Sequence, residues 1–215
     1  MYKLLGSALL FLISVSIIIG CVYPADEAPA PNLTMQVAIT VADESGTITD
    51  TRSFESRSYV LGLIDGLYVQ ATGQALSIPD TGNTGRSCSQ ALTALTMSGP
   101  VTDSTRGLVV GRSSQAVVIA DHDLITPITH GTGANQMTYA LGSYTAPASG
   151  ASSRSFTLSR VMTNGSGSSI AVEECGIYAT LGAGYIHCMA RDLTGTINVG
   201  AGSTITIQYT LSISL

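Results

Sequence analysis

Alternation of apolar and polar residues dominates the chain from residue 35 onward. The first such stretch has its apolar residues at every second position, namely Met35, Val37, Ile39 and Val41. Turn-forming residues follow at 43–46, and the alternation returns over 47–53. A period of two on both sides of a short polar turn predicts a β-hairpin with one face of each strand in the core.

The last segment of the chain carries the strongest strand pattern. Its apolar positions alternate with Thr, Gln and Ser, and they are Ile205, Ile207, Tyr209, Leu211, Ile213 and Leu215. An unpaired strand of this length would template pairing with another chain. We therefore expect an assembly strand here, paired either within the sheet or with a neighbouring subunit.

Shorter strand-like segments fill most of the remaining chain and are separated by clusters of Gly and Asn. They cover residues 108–110, 116–120, 137–141, 155–162, 169–179, 185–191 and 196–199. Residues 74–106 read as irregular loop with one or two short strands near 90–97. Many short strands at this spacing predict a mainly β fold, a single antiparallel β-sandwich domain over residues 35–215 of jelly-roll or immunoglobulin-like type.

One segment, residues 57–71, has helical periodicity. Its apolar positions recur every three or four residues, at Val60, Leu63, Ile64, Leu67 and Ala71. Ser56 is placed to cap the start and Gly73 the end. Gly62 and Gly66 are unfavourable inside a helix, so this helix depends on packing, and the glycines would allow close approach to a sheet.

The N-terminal segment has the pattern of an export signal. Lys3 precedes an apolar run from Leu4 to Ile19, and Gly20-Cys21 matches the end of a bacterial lipobox. We expect residues 1–20 to be a signal peptide and Cys21 to be the lipid attachment site. Two alternatives remain open: the run stays as a membrane anchor at the lower limit of a bilayer span, or translation starts at Met35.

Residues 21–34 contain three of the seven prolines of the chain together with two acidic residues and several alanines. Such a composition cannot bury enough apolar surface to fold and predicts a tether. A tether after a lipidated cysteine would hold a folded domain away from a membrane.

The composition predicts a protein that associates with other proteins. Only 11% of the 215 residues are charged, against about 25% in ordinary globular proteins. The formal net charge of −5 provides no basic surface for phosphates, so nucleic-acid binding is not expected. Homo-oligomers or other structural subunits are the partners this surface favours.

The cysteines at 88, 175 and 188 permit at most one disulfide if Cys21 carries lipid. Cys175 and Cys188 flank a turn-like segment at 181–184 and would face each other across a hairpin. Both also lie in apolar patterns in which cysteine acts as a small buried side chain. The disulfide and the buried thiols therefore remain alternatives, and the state of Cys88 is open.

Motifs of catalysis are sparse. The chain has no GxSxG, GxGxxG, Walker loop, HExxH or CxxC sequence. The weak metal-binding candidates are Asp121, His122, Asp123 and His130, for which a polar loop is the plainer interpretation. Glu173 and Glu174 would face opposite sides of a strand and so cannot act as a pair, and His187 is expected to point outward. We expect no enzyme and no cofactor.

The order of segments resembles a loosely defined set of β-rich virion or tail-associated proteins encoded by phages and prophages. The residues that carry the resemblance are the opening hairpin, 56–60, 107–111, 121–133, 172–178, 189–192 and 199–206. It spans about residues 35–215 and brings no catalytic residues. The resemblance implies a β-sandwich with a structural role.

Together these patterns predict a non-catalytic structural subunit that self-associates into a virion, tail or extracellular surface filament. The alternative is a monomeric surface lipoprotein that binds a glycan or protein ligand through its loops. The N-terminal signal places either protein outside the cytoplasm, at the cell surface, in the outer membrane or beyond it, whereas the resemblance points to a virion.

Overall fold

A computed structural model describes residues 32–72, 74–89, 95–149, 153–181 and 183–214. These ranges form two antiparallel sheets, a separate hairpin and one helix, α1 (Leu61–Thr72). The strands are β1 (Asn32–Ala42), β2 (Ile48–Glu55), β3 (Leu76–Pro79), β4 (Gly85–Cys88), β5 (Gly107–Gly111), β6 (Thr138–Tyr139), β7 (Ser143–Tyr144), β8 (Ala148–Ser149), β9 (Ser153–Thr163), β10 (Ile170–Leu181), β11 (Tyr185–Val199) and β12 (Thr204–Ser214). The predicted mainly β, sandwich-like fold is confirmed.

The larger sheet has the order β2-β1-β12-β9-β6, with β7 and β8 also paired to β9. Strand β12 lies at its centre, because every residue from Thr204 to Ser214 has a partner both in β1 and in β9. This placement corrects the expectation of an assembly strand at Ile205, Ile207, Tyr209, Leu211 and Ile213. The strong alternation of β12 identifies the strand in the middle of the sheet, and no edge of it is left for another subunit.

The smaller sheet, β11-β10-β5, packs over the apolar face of the larger one. Residues such as Val37 and Ile207 of one sheet share a buried cluster with Val109 and Val172 of the other. Burying each such side chain contributes about 1.5–3 kcal/mol, so the interface between the sheets is the main source of stability.

The helix begins four residues later than the periodicity predicts. Residues 58–60 run beside β11, where the Val60 amide donates to the Met189 carbonyl oxygen at 3.3 Å and the Arg191 amide donates to Ser58. Ser56 does not cap the helix, since its hydroxyl donates to the Asp192 carboxylate at 2.8 Å. Pairing with the sheet edge therefore overrides the helical pattern over 57–60.

The inner side of α1 consists of Gly62, Gly66, the buried Val69 and Leu63, which packs against the core. A Cβ atom added to Gly62 would lie 2.3 Å from the Cys188 carbonyl oxygen, and Gly66 is buried. Ile64 and Leu67, expected on the core face, are 62% and 49% exposed. Close backbone approach thus sets the orientation of the helix and leaves an apolar face outside.

Several local predictions differ from the structure. Residues 116–120 form a loop, and the two segments at 185–191 and 196–199 form the single strand β11. The hairpin β3-β4 was not predicted. The last three residues of the predicted tether, 32–34, belong to β1.

The predicted signal peptide or anchor, Cys21 and residues 21–31 lie outside the described ranges. Within those ranges, no helix has the length and apolarity needed to cross a bilayer.

Candidate functional site

Asp121 of the metal-binding candidates is held by a buried arginine. One of its carboxylate oxygens accepts from Arg191 Nη1 at 2.9 Å and from the Val118 amide at 3.0 Å. Arg191 is fully buried on β11, and its Nε donates to Glu174 at 2.7 Å. The carboxylate is therefore part of an ion-pair network that ties the loop after β5 to the smaller sheet.

Glu174 is the centre of this network. Its carboxylate also accepts from the amides of Ile125 and Thr126, at 3.2 and 2.9 Å. Gly111 makes room for it, because an added Cβ there would lie 2.4 Å from the carboxylate oxygen. As expected for neighbours on a strand, Glu173 has its side chain on the other face, where it accepts from the Thr196 hydroxyl at 2.9 Å.

Asp123 is held by a tyrosine. The Tyr178 hydroxyl is hydrogen-bonded to the Asp123 carboxylate and accepts from the Leu124 amide at 2.8 Å. Burial raises the pKa of Asp123 to about 6. The carboxyl therefore favours its protonated form more than a solvated aspartate does.

His130 lies at a different place from the aspartates. Its Nδ1 accepts from the Tyr139 amide at 3.2 Å, and its own amide donates to Ser104. Among the described residues, no three His, Cys, Asp or Glu side chains are grouped so that they could hold a metal ion. The Asp121-His122-Asp123 sequence instead anchors a loop through its two carboxylates.

A second buried polar cluster links the two sheets and was not predicted. The Asp192 carboxylate accepts from the hydroxyls of Ser56 and Tyr209, and the Cys175 sulfur lies 3.2 Å from the Tyr209 oxygen. Burial raises the pKa of both Asp192 and Tyr209. A tyrosine on the apolar face of β12 was the one sequence signal, because a buried tyrosine hydroxyl needs a partner.

The three described cysteines have free thiols, so the Cys175–Cys188 disulfide is not formed. In the register of the hairpin, Cys175 is opposite Asp192 and Cys188 is opposite Tyr178. Tyr178 is three residues from Cys175, and Asp192 is four residues from Cys188, so the register of the hairpin keeps the two thiols apart. Burial raises the pKa of both, as it does for Cys88, so the thiols are protonated at neutral pH.

His187 is completely buried, contrary to the expectation that it points outward. Its Nε2 lies 3.5 Å from the Cys88 sulfur and its Nδ1 2.9 Å from the Pro79 carbonyl oxygen. The contact connects β11 to the hairpin β3-β4. The hairpin, which alternation did not reveal, is what covers this side chain.

Arg160 of β9 is a buried cation bound only to backbone carbonyl groups. All five of its N–H groups donate, at 2.6–3.1 Å, to the carbonyl oxygens of Pro100, Asp103, Arg106, Leu108 and Ala140. Its guanidinium also lies 4.8 Å from the centre of the Tyr139 ring. Arg160 thereby fastens the chain before β5 and the connection after β6 to β9.

Three edges of the two sheets are covered or interrupted within the described residues. Beside β9 the larger sheet ends in the two-residue strands β6, β7 and β8. Residues 126–128 bond to β5 through Arg112 and Val110. Along β11, residues 58–60 and Thr81 occupy the edge, and Arg52 donates to the carbonyl oxygens of Thr194 and Thr196 at 2.8 and 2.6 Å.

The fourth edge, β2, is different. It is the last strand of the larger sheet, and no described strand pairs with its outer side. Its eight residues run from Ile48 to Glu55 with alternating exposed and partly buried side chains. An edge of this length presents a row of backbone N–H and C=O groups to any chain that approaches it.

Among the described residues, apolar side chains are exposed in several parts of the surface. The outer face of α1 and the adjoining loop expose Leu61, Ile64, Leu67, Tyr68, Val118 and Ile119. A cleft of about 280 Å³ opens where β1, β12 and β9 extend beyond the smaller sheet, and Leu33, Pro147, Phe156, Leu211 and Ile213 line it with Arg154. Contiguous exposed apolar surface is typical of contact sites.

Comparisons of the chain with known protein families, with curated proteins and with solved structures found no match.

Proposed function

We propose that this chain is a non-catalytic structural subunit that associates with copies of itself, or with other structural subunits, in a virion, a phage tail or an extracellular surface filament. The open edge of β2 carries the proposal. Edges of sheets are usually covered because they promote association, and this protein covers or interrupts its other three within the described residues. The low fraction of charged residues and the apolar outer face of α1 support the same function.

The buried polar groups support a structural role as well. Glu174, Asp192 and Arg160 each satisfy their hydrogen bonds within the fold, and their partners are loops and strands. Satisfied networks of this kind make a fold rigid. A rigid subunit presents its open edge in one fixed geometry, which suits association with a copy of itself.

Export remains part of the proposal. A lipid on Cys21 would keep the domain at a membrane, whereas the resemblance to virion proteins favours assembly without a membrane. The mass of the intact native protein distinguishes them. A diacyl or triacyl group on Cys21 supports the lipoprotein, an unprocessed Met1 supports an anchor, and a chain that begins at Met35 contradicts both.

A second candidate function, a monomeric surface lipoprotein with a ligand, is favoured by the apolar cleft at Leu33 and Phe156. Light scattering and electron microscopy of the purified full chain in detergent, carrying Cys21→Ser to remove the lipidation site, test the two functions. Dimers or larger regular assemblies are the expected result. A monomer at every concentration reached would contradict the structural-subunit proposal.

A further inference from the structure

We infer that β2 pairs antiparallel with β2 of a second copy of this chain, across a two-fold axis at Thr51. The inference rests on the proposed function and names the partner and the register of its interface. In such an isologous contact each residue of the strand meets a residue of the same strand in the other copy. The axis at Thr51 places Thr51 opposite itself and Asp50 opposite Arg52.

The charges of β2 select this register. Asp50 and Arg52 lie on the same face of the strand, opposite Val41 and Ile39 of β1, and both side chains are about one-third exposed. With the axis at Thr51, each Arg52 faces an Asp50 of the other copy, so two complementary pairs form. Moving the axis by one residue would place Asp50 opposite Asp50 or Arg52 opposite Arg52. Like charges directly opposite each other destabilise a strand pair.

The same charges oppose pairing with unrelated strands. Charged residues that point toward the core side of an edge strand are a known protection against aggregation. A second copy of β2 carries complementary charges at the facing positions. Asp50 and Arg52 therefore disfavour unrelated strands and favour this one. Within each chain, Arg52 Nη2 lies 3.2 Å from the Asp50 carboxylate and also donates to the Thr196 carbonyl oxygen, so both side chains are held on this face before a second copy binds.

The remaining positions of the strand agree with this pairing. Thr51 and Ser53 expose small hydroxyl side chains on the outer face, and threonine favours strands and forms cross-strand hydrogen bonds. The irregularity between Val41 and Ala42 of β1 bends the pairing at the Ile48 end of β2. We therefore expect a short contact centred on residues 50–52, which closes a dimer and leaves other surfaces for larger assemblies.

Disulfide trapping tests the register. In the full chain carrying Cys21→Ser, Thr51→Cys places two thiols opposite each other, and we expect most of the protein to form a linked dimer under mild oxidation. Ser53→Cys is the matched control, because it has the same exposure but lies opposite Thr49. Its yield should be lower by about tenfold, since opposed Cβ atoms approach within bonding distance and diagonal ones do not.

Charge exchange tests the recognition. Asp50→Arg places two arginines opposite each other and should raise the dimer Kd by more than about tenfold. The double variant with Arg52→Asp restores complementary pairs and should return the Kd toward the original value. Glu55→Arg makes the same change of charge at the end of the strand and should leave the Kd nearly unchanged. Circular dichroism confirms the folding of each variant.

The outcomes separate the inference from the proposed function. A dimer that is trapped by Thr51→Cys and rescued by the double exchange supports both. An assembly that persists while Thr51→Cys is trapped no better than Ser53→Cys overturns the β2 contact and leaves the structural function standing. A chain that stays monomeric overturns both.

Discussion

Two neighbouring edges of the sandwich, β11 and β2, are treated in opposite ways by the rest of the chain. Along β11, residues 58–60, Thr81 and the Arg52 guanidinium occupy backbone groups of the strand. On the outer side of β2, no described strand is present. Arg52 makes the contrast plain, since it belongs to β2 and yet covers carbonyl groups of β11. The backbone groups of a covered edge find partners within the same chain, whereas those of an open edge can pair with a second chain.

Buried charges hold the segments that cover the edges. Of these charges, Arg160 should contribute most to the free energy of unfolding. Arg160→Met removes the five charge-assisted hydrogen bonds to the carbonyl groups of Pro100, Asp103, Arg106, Leu108 and Ala140. We expect a loss of more than about 3 kcal/mol in the free energy of unfolding measured with urea. Arg154→Met is the matched control in the same strand, because Arg154 is exposed, and it should change stability by less than about 0.5 kcal/mol. Equal effects of the two variants would contradict the role of Arg160.

Replacement of Glu174 should lower the free energy of unfolding by a smaller amount. Glu174→Gln weakens the pairing with the fully buried Arg191 and the anchoring of Ile125 and Thr126, and we expect a loss of about 2–3 kcal/mol. Glu173→Gln, on the neighbouring residue but at the surface, should cost less than about 0.5 kcal/mol. Urea unfolding of both variants measures the difference. A Glu174 variant as stable as the Glu173 variant would show that the network does not hold the loop.

The stability of the protein should also depend on pH through Asp123, which belongs to the loop that covers β5. Its pKa is raised from 3.8 to about 6 by burial, so its stabilising contribution is complete below pH 3.8 and is lost as the pH rises through 6. Asp123→Asn should therefore gain about 1 kcal/mol relative to the original chain between pH 4 and pH 7, a modest value because solvent screens this half-buried group. Thermal unfolding of both chains across this range measures the difference, and a constant difference would contradict the raised pKa.

The smallest effect on the folded monomer is expected at the open edge. Thr51→Lys adds an exposed charge to β2 and should change the stability of the monomer by less than about 0.5 kcal/mol. The same change should abolish the dimer, because two lysines would meet on the axis. Gln208→Lys on the exposed face of the central strand β12 is the control and should leave the dimer intact. Light scattering gives the oligomeric state, and a Thr51→Lys dimer of unchanged affinity would contradict the contact.

Alternation along the chain predicts most of the long strands and the class of fold, but not the hairpin β3-β4. Strands β1, β2, β9 and β12 appear where the period of two predicts them. Strand β10 also lies where a strand is predicted, although much of it is buried on both faces. Position within the sheet is a different matter. The regular pattern of β12 shows that one face is buried, but side-chain alternation contains no information about which edges are paired. Pairing within the sheet and pairing with a neighbouring subunit are therefore both compatible with the pattern of β12, and the structure shows the first.

The buried polar networks could be predicted only in part. The sequence marks Asp121 and Asp123 as chemical candidates, but their partners Arg191 and Tyr178 come from strands more than fifty residues away. The register of β10 and β11 and the bulges within it decide which side chains meet. The same holds for α1, whose glycines face the sheet because backbone contact with Cys188 outweighs the apolar periodicity.

Amide hydrogen exchange, measured as a function of protein concentration, compares the edges β2 and β11 in one sample. We expect the amides of residues 48–55 to become protected as the concentration rises through the dimer Kd, while the amides of β11 stay equally protected throughout. Protection of β2 that does not depend on concentration, or a concentration dependence confined to other strands, would contradict an open edge that pairs with a second copy.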